Sequence, residues 1–160
     1  MLRECLTGWL ASAFTWALIH VAPKPSVPLS QRFIVDMTDG DGDHDLVATL
    51  LFVPCELGEW HVATVLEHRD EKPWLLDSAV GRCWAWPMRG PGDYTPVLAA
   101  LKPEYVVEVR TKSKGWMRHS TIGPVTCITL AKRLIGVHNP GIVTSRQLLA
   151  KLREIHNGCS

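Results

Sequence analysis

Thr126 to Gly136, TCITLAKRLIG, is the stretch on which the fold reading turns. Gly123 and Pro124 break the chain before it, Thr126 offers a side-chain oxygen as N-cap, and Gly136 suits the left-handed position that closes a helix. Cys127 therefore stands in a first helical turn. The aligned peptide dipoles and unpaired N–H groups at that end favour negative charge, so a thiol placed there tends toward the nucleophilic thiolate. The same helix sets Cys127 on one face with Leu130, Ala131 and Leu134, where a cysteine is ordinarily inert core. What separates the two readings is a base and an orienting carboxylate within reach, and upstream the chain supplies His61 and Asp77.

Those two residues lie on consecutive β-rich runs. WHVATVLE (Trp60 to Glu67) is followed by the charged loop HRDEKP and by WLLDS (Trp74 to Ser78), a strand, a tight connection and a strand. In an antiparallel pair the start of the first strand lies beside the end of the second. With the loop closed so that Glu67 faces Glu71, position 61 falls opposite position 77, and directly opposed residues have Cβ atoms about 4.5–5.5 Å apart. A slip of one residue would send one side chain to the other face. Read alone, His61 between Trp60 and Val62 is also consistent with a satisfied core histidine, and Asp77 ahead of Ser78 and Gly81 with a turn cap.

The remaining chain reads as one α+β unit. Its 160 residues, 46% hydrophobic and 21% charged, suit a single globular domain with a real core. A net charge of +1 without a basic stripe gives nucleic acid no electrostatic foothold. Five scattered cysteines, Cys5, Cys55, Cys83, Cys127 and Cys159, form no C-x-x-C pair, which points to a reducing, cytoplasmic setting rather than to a disulfide framework. Cys5 to Ala22 is an uncharged run near the roughly 17–25 residues of a membrane span. Its threonines, serine, glycine and His20, with Arg3 beside Glu4 instead of a basic cluster, favour a buried or interfacial helix over membrane association. Residues 1–28 are thus an apolar helix and a Pro-rich connector (KPSVP), and 29–160 the single domain.

Within that domain RFIVDM (Arg32 to Met37) and LVATLLFV (Leu46 to Val53) read as strands joined by the hairpin turn DGDGDHD. Asp39, Asp41 and Asp43 alternate as in a calcium loop, but His44 and Leu50 stand where glycine and glutamate are needed. Arg82 to Asp93, with Trp84 and Trp86, reads as an irregular loop and Cys83 there as packing. Thr95-Pro96 opens a short helix, VLAALK, and EYVVEVR (Glu104 to Arg110) is a further strand. Thr144 and Gln147 form a capping box for a last helix whose stripe is Leu148, Leu149, Leu152 and Ile155, ended by Gly158. The fold class is α+β, an antiparallel sheet flanked by helices.

A thiolate, an imidazole and a polar group that fixes the imidazole tautomer are the parts of a thiol hydrolase, and Cys127, His61 and Asp77 are those parts, with the Cys127 amide placed to receive an oxyanion. The chain order of histidine strand, carboxylate strand and cysteine helix resembles the circularly permuted papain-like cysteine hydrolases. In the adenovirus protease and the ubiquitin-like-protein proteases, motifs like WHVATV, WLLDS and VTCITLAKRLIG follow one another in this order. The chain also looks like small phage-encoded papain-like proteins, in which a helix of the pattern TC-x-x-x-x-K-x-x-x-G precedes a threonine-capped second helix, here IVTSRQLLAKL. The resemblance runs from Trp60 to Leu152 and implies a permuted papain-like site acting on a peptide or protein substrate. Those viral and ubiquitin-like proteases place a glutamine before the cysteine as oxyanion donor; this chain has RHSTIGPV, which leaves His119, Ser120, Thr126 and Trp60 as candidates for contacting substrate or oxyanion.

Two other classes stay open at this level. A papain-like binding module without turnover fits a chain with seven tryptophans, and Cys127 packed out of reach of His61 would favour it. A metal centre from Cys55, His61 and Cys127 or His138 has no ligand pair at diagnostic spacing, so no metal and no cofactor is expected.

Overall fold

The computed structural model describes residues 31–55, 58–69, 71–79, 82–88, 98, 101–112 and 126–158. The apolar run from Cys5 to Ala22, the connector after it, and the candidates His119 and Ser120 lie outside them. Among the described residues no helix is long and apolar enough to cross a membrane.

Six strands form one mixed sheet: β1 (Arg32–Asp36), β2 (Leu46–Pro54), β3 (Trp60–His68), β4 (Trp74–Ala79), β5 (Arg82–Pro87) and β6 (Tyr105–Thr111), in the spatial order β1-β6-β2-β3-β4-β5. β2 and β3 are rich in β-branched and aliphatic residues because both of their faces are covered. Ala48, Leu50, Phe52, Val62, Leu66, Leu76, Val107 and Val109 point to one face, with Leu51, Ala63, Val65, Leu75 and Val106 on the other. α1 (Cys127–Ile135) and α2 (Ser145–Gly158) pack on the first face through Ile128, Leu130, Leu134, Leu148, Leu149 and Leu152. The second face takes Leu98 and Leu101, helical residues whose turn is closed by Lys102 N–H donating to Leu98 O at 2.9 Å. Among the described residues the result is a mixed α+β fold, a six-stranded sheet flanked by the helices α1 and α2.

Three expectations are corrected. β1 and β2 do not make a hairpin: β6 lies between them, parallel to β1 and antiparallel to β2, so the sheet is mixed and DGDGDHD connects non-neighbours. That segment turns through positive φ at Asp39, Gly40 and Gly42, and its carboxylates meet cations, Asp41 accepting from Lys112 and Asp43 from Arg69 Nη2 at 3.0 Å. Arg82–Pro87 is not loop but the edge strand β5, a position that tolerates its terminal proline. The β3–β4 register is set two residues from the expected one, Thr64 facing Leu76 and Leu66 facing Trp74. A shift of two keeps every side chain on its face, because strands repeat every second residue.

The helix ends follow local chemistry. Thr126 caps α1, its hydroxyl accepting from Thr129 N–H at 3.1 Å while Thr129 Oγ1 accepts from Thr126 N–H at 2.7 Å. Gly136, at φ 74°, ends it with its amide on Arg133 O and the Val137 amide on Lys132 O, the paired bonds of a Schellman close. Thr144 and Gln147 make the capping box of α2, Gln147 N–H donating to Thr144 Oγ1 at 3.2 Å and Thr144 N–H to Gln147 Oε1 at 3.0 Å.

Candidate active site

Cys127, His61 and Asp77 come together where β3 and β4 part. The two strands pair only through Thr64–Leu66 and Trp74–Leu76. Beyond that point β3 stays on β2, with Val53 opposite His61 and Pro54 opposite Trp60, while β4 stays on β5, with Trp84 opposite Asp77 and Cys83 opposite Ser78. Into this opening α1 brings its first turn, since the helix packs against both β3 and β4.

The side chains close a chain of hydrogen bonds. His61 Nε2–H donates to Asp77 Oδ1 at 2.6 Å, and Cys127 is close enough to the imidazole to be the second influence on its titration. With Nε2 taken by the carboxylate, Nδ1 is the nitrogen left for the sulfur. On the extended ladder His61 and Asp77 are diagonal neighbours, a separation that an imidazole and a carboxylate span. Cys127 is half-buried against the helix-side core, so the core reading of its position and the site reading hold together.

Backbone amides freed by the parting of the strands complete the arrangement. Extended by two positions, the β3–β4 ladder would pair Val62 with Ser78. Instead the Val62 N–H donates to the Cys127 sulfur, and the Ser78 N–H donates to Asp77 Oδ1 at 2.7 Å, the same oxygen that receives His61. Two donors that a continuous sheet would have spent on the facing strand's carbonyls are turned to the sulfur and the carboxylate. At the helix end the cap takes the Thr129 amide, which leaves the Cys127 and Ile128 amides facing out of the first turn.

The electrostatics follow from these contacts. The Asp77 hydrogen bond, with that of Cys127 second, raises the His61 imidazole from 6.5 to about 10 against the opposing effect of burial. Burial on its own would push the Cys127 thiol up; the hydrogen bonds from His61 and the Val62 amide outweigh it, and the thiol lies below its ordinary value of 9.0. Both shifts favour the thiolate and imidazolium forms of the pair, in which sulfur is nucleophilic and a proton stands ready for a leaving group.

The other candidates divide. Thr126 is at the site as the cap beneath Cys127, its hydroxyl engaged with Thr129. Trp60 is committed elsewhere: Nε1–H donates to Glu104 Oε2 at 2.7 Å and the backbone N–H to Ser145 Oγ at 3.0 Å, so neither is directed at an oxyanion. Cys55 is exposed and its Sγ–H donates to Glu59 O at 2.8 Å, and His138 is exposed on the loop after α1. Among the described residues no group of three or more His, Cys, Asp or Glu converges as a metal site. Val62 and Ser78 escape sequence reading because the groups they supply are main-chain amides. Thr129, by contrast, left a trace in its three-residue spacing from Thr126.

Comparison of the chain with protein-family models, with curated proteins and with solved structures finds no match.

Proposed function

We propose that this chain is a thiol hydrolase, a peptidase or amidase working through an acyl-enzyme on Cys127. The observation that carries the proposal is the short Asp77–His61 hydrogen bond beside a Cys127 thiol that opens a helix and lies near enough to the imidazole for each to shift the other's titration. The order of its members along the chain and their placement on two strands and a helix support a permuted papain-like site. A peptide or protein substrate and a reducing, cytoplasmic setting belong to the same proposal. The non-catalytic binding module gains no support from a sulfur whose titration the neighbouring imidazole lowers.

The steps follow from the geometry. The Cys127 thiolate adds to the substrate carbonyl carbon, and the carbonyl electron pair moves to oxygen, where the Cys127 amide at the positive helix end receives it. As the oxyanion collapses, the C–N bond breaks and the His61 imidazolium gives its Nδ1 proton to the departing amine, leaving a thioester and neutral imidazole. Water then enters. His61 takes one of its protons as the oxygen adds to the thioester carbonyl, the C–S bond breaks, and the carboxylic acid leaves with thiolate and imidazolium restored. Asp77 holds the imidazole in one tautomer and one orientation through both steps.

The test uses an internal reference. At neutral pH iodoacetamide labels Cys127, followed by peptide mass spectrometry, at least about tenfold faster than the exposed Cys55, as expected for a thiolate held by an imidazolium. An activated peptide ester then leaves a transient acyl mass on Cys127 and is turned over. Cys127 labelling no faster than Cys55, with no acyl adduct, overturns the proposal.

A further inference from the structure

Ser145 is the first residue of α2, yet the cap of that helix is made without it, by Thr144 and Gln147. Its side chain, 2% exposed, instead reaches β3: Oγ–H donates to Glu59 Oε2 at 2.6 Å, and Oγ accepts the Trp60 N–H at 3.0 Å. The next residue continues the contact, Arg146 Nη2 donating to Gly58 O at 2.7 Å and Nε lying 3.4 Å from Glu59 Oε1. Three successive residues just ahead of His61 are thus held by the first turn of α2. Trp60 is further fixed by its bond to Glu104 and by edge-on contacts with Phe52 and Tyr105.

This attachment falls where β3 needs one. From Ala63 back to Trp60 the strand has lost β4 as a neighbour, and only β2 supports it within the sheet. α2 is also fixed relative to α1, because Lys132 Nζ, on α1, donates to Asn139 O at 2.6 Å and to Ile142 O at 2.8 Å in the connection between the helices. One braced piece therefore meets β3 twice, by the sulfur of Cys127 at His61 and by the hydroxyl of Ser145 one residue earlier.

We propose that Ser145 is a positioning residue for the site: its buried hydroxyl sets where the start of β3 stands relative to α1, and so brings the His61 imidazole within hydrogen-bond reach of the Cys127 sulfur. The inference rests on the thiol hydrolase reading for what the site is for, while the coupling itself is measurable without substrate. Removing the hydroxyl leaves Glu59 Oε2 without its donor and the Trp60 amide without its acceptor, which frees the strand start to move away from α1.

The experiment is the pH profile of iodoacetamide alkylation at Cys127 in the full chain, with Cys55 as reference, at a temperature where each variant is folded by circular dichroism. Ser145→Ala slows Cys127 about tenfold at neutral pH, the effect of one lost buried hydrogen bond, and moves the profile to higher pH. Ser145→Thr, which keeps the hydroxyl, restores the wild-type profile. Glu59→Ala, which removes the acceptor from a partly exposed position, shifts it in the same direction and serves if Ser145→Ala does not fold. A wild-type profile in either alanine variant, or a threonine variant as slow as alanine, overturns the proposal. An unmoved profile in Ser145→Ala removes the positioning role and leaves the hydrolase reading intact, whereas a Ser145 effect without turnover of any acyl substrate removes the hydrolase reading alone.

Discussion

From Thr64 to Leu66 the third strand is paired with the fourth and lined by Val65, Leu66, Leu75 and Leu76, all nearly sealed from solvent. Immediately before it, from Ala63 back to Trp60, the same strand has no such partner, and beside it stand an imidazole, a carboxylate and a sulfur. The contrast teaches how one β-ribbon serves two purposes. Where amides bond to amides, apolar side chains fill both faces and the structure gains stability; where the amides are released, they bind charge, and the side chains there can be reactive. The parted end is affordable because the paired end, with α1 and α2 over it, holds the strands in place.

That contrast can be broken from either end. The largest change is expected at the parted end: Asp77→Asn and His61→Ala each slow Cys127 alkylation at neutral pH by about 10²–10³-fold, since the thiolate loses the cation that holds it or that cation loses its orientation. Either variant labelling at the wild-type rate would separate the sulfur from its supposed partners. At the paired end, Leu75→Ala, emptying a site 2% exposed, costs about 2–4 kcal/mol in urea unfolding while the folded fraction keeps the wild-type alkylation rate. A large loss of reactivity there would show that the two ends are not independent.

The dependence on pH sharpens the comparison. Folding raises the His61 value from 6.5 to about 10, so protonation of this group favours the folded chain fully below 6.5, and that contribution is lost as pH rises through about 10. The difference in urea midpoint between wild type and His61→Ala is therefore expected to narrow across that interval, whereas Leu75→Ala keeps a constant deficit. A His61→Ala difference that stays flat would refute the ion pair. Smallest of all, Thr64→Val, replacing a buried hydroxyl that has no hydrogen-bond partner among the described residues, gains about 0.5–1 kcal/mol without touching the site.

What the residues disclosed in advance was local. Thr126, Gly136 and the Thr144–Gln147 pair announce helix ends because a cap is made by residues three or four positions apart, and all four stand where expected. The meeting of His61 with Asp77 survived an error of two in register, because an even shift preserves the face. Pairings between distant segments left no comparable mark. Nothing in RFIVDM says that its neighbour is the strand beginning at Tyr105, and the aromatic and proline content of RCWAWP concealed an edge strand. The Val62 and Ser78 amides were illegible for a different reason: every residue but proline carries one, and only the geometry of the opening gives these two a task.

The parallel contact of β1 with β6 carries a consequence for how the chain acquires its shape. β2, β3, β4 and β5 follow one another as neighbours and can zip together by short loops, whereas Arg32 must wait for Val106, whose own strand has first to return to the β2 edge. The earliest of the described strands is then the last to dock. Its amides, hung on the rim of an otherwise finished sheet, should be the first to trade their protons with heavy water.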